Sequence, residues 1–227
     1  MQKLMYLVRD AATADGDALR QAILAKAVPA IRACGGREIT VFAADRDVAA
    51  GKPVRQISPP IRAFVSFWLE DAADRGPAEA ALRGVGQALD GYLVVESRPV
   101  VHAMPKGERT PGMKQISCVT KRPDLAQEEF IRIWHEDHRK VAIETQSTFG
   151  YVRNEIFRAL TPGAPTQWTA IVEESFPIGA LTDPHVFYDA KSEAEYQTNF
   201  KRMMESCGRF LDHGPIEVTF VSEYYQG

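Results

Sequence analysis

The feature that most constrains this chain is a repeat in its order of elements. Lys3 to Val8 reads as a β-strand, and Lys114 to Thr120 echoes it about 111 residues later. Each opens a run of strand, helix, strand, strand, helix, strand. In the first run Ala18 to Cys34 carries helical periodicity in Leu19, Ile23, Ala27 and Ile31, and the pair Gly35-Gly36 ends it. Pro29 falls inside that helix and predicts a kink or a break. Glu38 to Ala43 and Ile61 to Leu69 are strands, Pro77 opens a short helix, and Tyr92 to Val95 is the closing strand.

In the second run Asp124 and Gln127 make a capping-box-like start to a long helix that reaches about Gln146. Strands Tyr151 to Phe157 and Trp168 to Phe176 follow. An insertion at Pro177 to Ala190, longer than its first-half counterpart, leads into a helical region at Glu193 to His213 and a last strand at Ile216 to Tyr225. A βαββαβ order met twice with short connections predicts an α+β chain of two ferredoxin-like halves. Their antiparallel sheets would pair into an α+β barrel within one chain. Apolar residues at both parities of Ile61 to Leu69 fit a sheet covered on both faces. The segment His102 to Gly112 has two prolines, two glycines and little apolar content, so the domains are set at 1–105 and 113–227.

A net charge of -3 with no Lys/Arg run argues against nucleic acid and anionic membranes as partners. The longest apolar run, Ala63 to Leu69, is far too short to span a bilayer, and the N-terminal run reads as a strand rather than a leader. Three scattered cysteines, Cys34, Cys118 and Cys207, fit reduced thiols. The expectation is a cytoplasmic protein.

Phe130, Trp134 and His138 follow one another at a spacing of four and share one face of the long helix. Two belong in a core; the third titrates near neutral pH, and is either a satisfied core histidine or a group aimed into a pocket. This stripe, followed by Tyr151-Val152-Arg153-Asn154, resembles the EthD family of the dimeric α+β barrel group over about residues 113–227. In that family two chains pair their sheets; the resemblance implies that here the second half pairs with the first. At the same offset the stripe maps to Leu19, Ile23 and Ala27, so the first half reads as a degenerate copy with no site of its own. Such tandem duplication removes the need for a barrel-forming partner, while outer surfaces stay available for a homodimer.

The candidate catalytic residues are His138, as a general acid or base, and Tyr151, as a donor to a developing oxyanion. Phe130 and Trp134 would supply aromatic walls for a small apolar or aromatic molecule, and Asn154 would position it. Tyr151 and Asn154 lie three apart on a strand and so face opposite ways. Of Glu173 and Glu174, alternation sends one inward, where a carboxylate near His138 could fix its tautomer and raise its basicity; Glu173 is taken among the substrate-binding residues. A metal is not expected: His135 and His138 lack the HExxH spacing, and His185 alone does not complete a set. Without a Walker loop, GxGxxG or GxSxG, no nucleotide cofactor or serine nucleophile is expected either. Haem held by a helical histidine is the rival to a protein with no cofactor.

The reading is therefore a cofactor-independent small-molecule enzyme, of lyase or isomerase type, in catabolism or secondary metabolism. It would perform elimination, decarboxylation, isomerisation or cyclisation of an oxygenated aromatic substrate. The alternatives are a cofactorless monooxygenase, a haem-binding α+β barrel, and a non-catalytic carrier of apolar ligands.

Overall fold

The computed structural model describes residues 1–54 and 57–227. Eight strands run as β1 Gln2–Arg9, β2 Arg37–Ala43, β3 Ile61–Leu69, β4 Ala88–Val100, β5 Met113–Lys121, β6 Gly150–Ala159, β7 Ala170–Phe176 and β8 Leu211–Tyr225. They close into one antiparallel barrel in the order β1-β3-β2-β8-β5-β7-β6-β4. Each half contributes four neighbouring strands in the ferredoxin-like order. The halves join edge to edge, β2 to β8 and β4 to β6, so all four sheet edges are paired away.

Strand alternation assigns the two faces. In β3, Ala63, Val65, Phe67 and Leu69 pack outward beneath helices, while Phe64 joins Met5, Phe42, Tyr92, Ile116 and Trp168 inside the barrel. Both faces are buried, which is why the strand is apolar at both parities.

The long helix of each half changes pitch midway. Helix α1 runs Gly16–Ala22, a π-helical segment Ile23–Ala27, then Val28–Ala33. Helix α3 runs Gln127–Arg132, a π-helical segment Ile133–His138, then Arg139–Thr145. The kink expected at Pro29 is instead a widened turn just before it, where the Val28 N–H reaches back to the Ile23 carbonyl. Helix α3 widens at the matching place with no proline, so Pro29 does not cause the device. Nor does His138, since Ala27 stands at its counterpart.

Helix α2 is Gly76–Arg83. The insertion Pro177 to Ala190 holds a 3-10 turn and a short helix α4, Pro184–Phe187; α5, Glu193–Gly208, completes the second layer. Three local readings change. Strand β4 is much longer than Tyr92 to Val95 because it pairs along both β1 and β6. Helix α3 starts at Gln127 without a side-chain cap, because Asp124 is held by Arg122 at 2.7 Å. The segment His102 to Gly112 lies along β8, bonding through Gly107 and Thr110 backbone N–H groups, and does not hang as a free linker.

No described helix is long and apolar enough to cross a membrane.

Candidate active site

The gap between the second-half sheet and its helices holds a cavity of about 290 Å³. Its sheet wall is a row across three strands: Tyr151 of β6 stands opposite Glu174 of β7, which stands opposite Gln115 of β5. Ser117, Val119 and Val172 continue that wall on the same face. Trp134 and His138 enter from α3, Met203 and Cys207 from α5, and Phe187 and Tyr188 from the insertion. The insertion thus supplies two aromatic wall residues.

His138 is 7% exposed; its Nδ1 lies 2.9 Å from Ser206 Oγ and its ring packs 4.8 Å from that of Phe210. Burial, aided by the Arg153 and Arg209 charges, pushes its pKa down to about 4, so the imidazole is neutral at pH 7. The tie to Ser206 occupies Nδ1 and leaves Nε2 for the cavity. The Trp134 indole N–H donates to Tyr151 Oη at 2.8 Å, which leaves the phenol's own proton free to donate onward. Burial, with the neighbouring Glu174, raises the Tyr151 pKa and keeps the phenol protonated. Glu174 sits in the same wall with only a 3.5 Å contact from Gln115, and burial pushes its carboxyl up to about 7.

The residues expected to act together are divided by the sheet. His138, Tyr151 and Trp134 share the cavity. Phe130 lies behind it as core, its ring 5.4 Å from that of Trp134 and 5.7 Å from that of Phe210. Asn154 and Glu173 are on the opposite face, inside the barrel. The Asn154 amide donates to Glu173 at 2.9 Å, and Lys3 and Lys114 each approach Glu173 at 3.4 Å. The carboxyl that shares the cavity with His138 is therefore Glu174, and Glu173 is corrected to a barrel residue. Strand β7 is apolar on both faces at Ile171 and Val172, so its pattern gave no parity with which to choose. Gln115, Gln146 and Ser206 were missed as well. None belongs to a motif: Gln115 comes from the sheet, Ser206 from α5, and Gln146 from the end of the helix that carries His138.

The barrel end that holds Glu173 carries a second polar cluster with internal symmetry. Lys3 donates to Glu96 at 2.5 Å and to Asn154 at 2.8 Å. Its counterpart Lys114 pairs with Glu223 and lies 5.1 Å from the Phe42 ring centre. Burial would raise the Glu223 carboxyl, but Lys114 and His102 outweigh it and hold the pKa at about 2.

Among the described residues no group of three or more His, Cys, Asp or Glu could hold a metal ion. The cavity does not fit haem as it stands. Its lining has no Lys or Arg to pair the macrocycle's two carboxylates, it presents the Glu174 carboxyl instead, and its volume lies at the small end for organic ligands.

No family model matches the sequence, and no curated protein matches it. Solved structures do. An anthrone oxidase-like protein aligns over 100% of this chain and 93% of its own at a TM-score of 0.59 and 8% identity. A candidate monooxygenase from Lactobacillus acidophilus NCFM aligns over 100% and 96% at 0.50 and 11%. A chlorite dismutase from Candidatus Nitrospira defluvii aligns over 97% and 91% at 0.49 and 9%. Further chlorite dismutases are among the solved structures of this fold, and the expectation of a protein that works without a cofactor is withdrawn. The EthD family itself does not emerge. What is shared is the architecture: this chain is an α+β barrel similar in fold to the dimeric α+β barrel proteins, with both barrel halves in one polypeptide.

Proposed function

We propose that the chain is an enzyme acting on a small, largely apolar, oxygenated molecule held in the second-half cavity, with chemistry driven by proton transfer. One observation carries this reading. A neutral imidazole, a protonated phenol and a carboxyl raised to about 7 converge on one apolar volume. Groups whose environments push their pKa values apart are how one site holds both an acid and a base.

The roles follow from those positions. Glu174 titrates close to neutral pH and is the better reservoir for a substrate proton. His138, at about 4, binds a proton weakly at pH 7, so its Nε2 serves as a hydrogen-bond partner and a transient carrier. Tyr151 donates its hydrogen bond to the oxygen on which charge develops. Elimination, decarboxylation, isomerisation and cyclisation are all open to such a set, in keeping with the EthD-like stripe.

Oxygen-using chemistry on an electron-rich aromatic is the second reading. The anthrone oxidase-like structure and the candidate monooxygenase favour it, as proteins of the same fold. Oxygen uptake during turnover separates the two, since pure proton transfer consumes none.

The test is turnover of a panel of hydroxylated aromatic substrates by wild type, His138→Ala and Glu174→Gln. Each substitution should cut the rate by about 10²-fold or more while leaving the folded state intact. Unchanged rates in both variants would defeat the assignment. Binding and release of every ligand unchanged would mark a carrier.

A further inference from the structure

Gln146 ends helix α3 and lines the cavity beside the aromatic wall. It is only 8% exposed, and its carbonyl oxygen is buried with no hydrogen-bond partner. The amide nitrogen makes no hydrogen bond to protein but is not itself fully buried, so one polar end of the carboxamide is orphaned whichever way the oxygen and nitrogen are assigned. Leaving such a group buried and unmade costs about 1–3 kcal/mol. The neighbouring polar lining does not relieve it. Gln115 is turned to Glu174, and Tyr151 is held by Trp134.

We infer that Gln146 is the specificity-determining residue of the cavity, selecting ligands that present an uncharged hydroxyl over analogues that lack it or carry a carboxylate. The inference rests on the proposed reading that this cavity is the ligand site. A hydroxyl donates to the carboxamide oxygen and accepts from its N–H, so it satisfies the group in either orientation. A hydrocarbon leaves the carboxamide orphaned. A carboxylate would enter a lining that offers no Lys or Arg and already holds Glu174. The aromatic rings of Trp134, Phe187, Tyr188 and Phe210 suit a flat ligand body, so the discrimination falls on one end of the molecule.

The experiment is calorimetric or fluorescence titration of the full chain with 2-naphthol, naphthalene and 2-naphthoate, using wild type, Gln146→Leu and the cavity-filling Val172→Trp. Wild type should bind 2-naphthol about tenfold or more tightly than naphthalene, and 2-naphthoate most weakly. Gln146→Leu should retain naphthalene binding and lose the preference for the hydroxyl. Val172→Trp should weaken all three. If Gln146→Leu keeps the wild-type ratio while Val172→Trp weakens binding, the cavity is the site and the role given to Gln146 is wrong. If wild type binds none of the three, or Val172→Trp changes nothing, the cavity reading fails and this inference with it.

Discussion

The two halves share a helix-on-sheet gap, and the same positions are filled in one and emptied in the other. Strand register pairs Leu4 with Phe67 and Tyr6 with Val65 in the first half, where the second half pairs Gln115 with Glu174 and Ser117 with Val172. Tyr6 thus stands where Ser117 does, and Phe67 where Glu174 does. The two first-half rings stack at 5.7 Å and 8° and are fully buried beneath Leu19, Ile23 and Ala27. In the second half a serine and a carboxyl leave that volume open. The site was therefore made, or lost, as much on the sheet as on the helix. A histidine in place of Ala27 would meet rings and not a pocket.

The barrel interior teaches the reverse. Lys3 with Glu96 and Lys114 with Glu223 are the same pair in the two halves, each Glu lying two residues beyond the strand partner of its Lys. Where the gaps diverged, this arrangement stayed. Glu173 breaks the symmetry by reaching both lysines, and ties the halves together across the barrel.

Substitutions that erase this contrast should act in a definite order. Lys114→Ala removes the buried cation shared by Glu223 and Glu173, leaving His102 to the one and Lys3 with Asn154 to the other, and should destabilise the fold by about 3 kcal/mol in urea unfolding. A loss under 1 kcal/mol would show that the interior pairs do not hold the halves together.

Next in size is the pH dependence of stability. Burial raises the Glu174 carboxyl from its ordinary 4.5 to about 7 on folding, so the native state keeps a proton that the unfolded chain has lost. Stability therefore falls as pH rises from about 4.5 to about 7, by roughly 3 kcal/mol if the full shift is realised. His138 moves the other way, from 6.5 to about 4, so its contribution is present above 6.5 and is lost as pH falls toward 4. Glu174→Gln should flatten the alkaline limb and His138→Ala the acid limb. Profiles that match wild type would contradict the burial of these groups in the folded state.

The smallest effect on stability should come from Ser117→Tyr with Glu174→Phe, which rebuilds the first-half wall in the second half. The added apolar burial should raise stability by about 1–3 kcal/mol, while binding of 2-naphthol disappears. Retained binding would place the ligand elsewhere.

Much of this architecture was legible in the sequence, because the repeat of Lys3 to Val8 at Lys114 to Thr120 and the turn chemistry between elements are local signals. The stripe of Phe130, Trp134 and His138 likewise reported a shared helix face. The site itself was only half legible. Strand period separated Tyr151 from Asn154, but β7 is apolar on both faces, so nothing local chose Glu174 over Glu173. Gln115 reaches His138's cavity, and Ser206 reaches the His138 ring, only through pairing and packing of residues far apart in sequence, whereas Gln146 ends the helix that carries His138. The widened turns of α1 and α3 also escaped notice, for Pro29 suggested a break where the second half shows that no proline is needed.

The central claim is that the second-half gap is the working site and the first-half gap is not. A crystal soaked with 2-naphthol tests it directly. Density between α3 and the Tyr151–Glu174–Gln115 row, with none beneath α1, is the predicted result. Density at the barrel end around Lys3 and Lys114, or beneath α1, would contradict it.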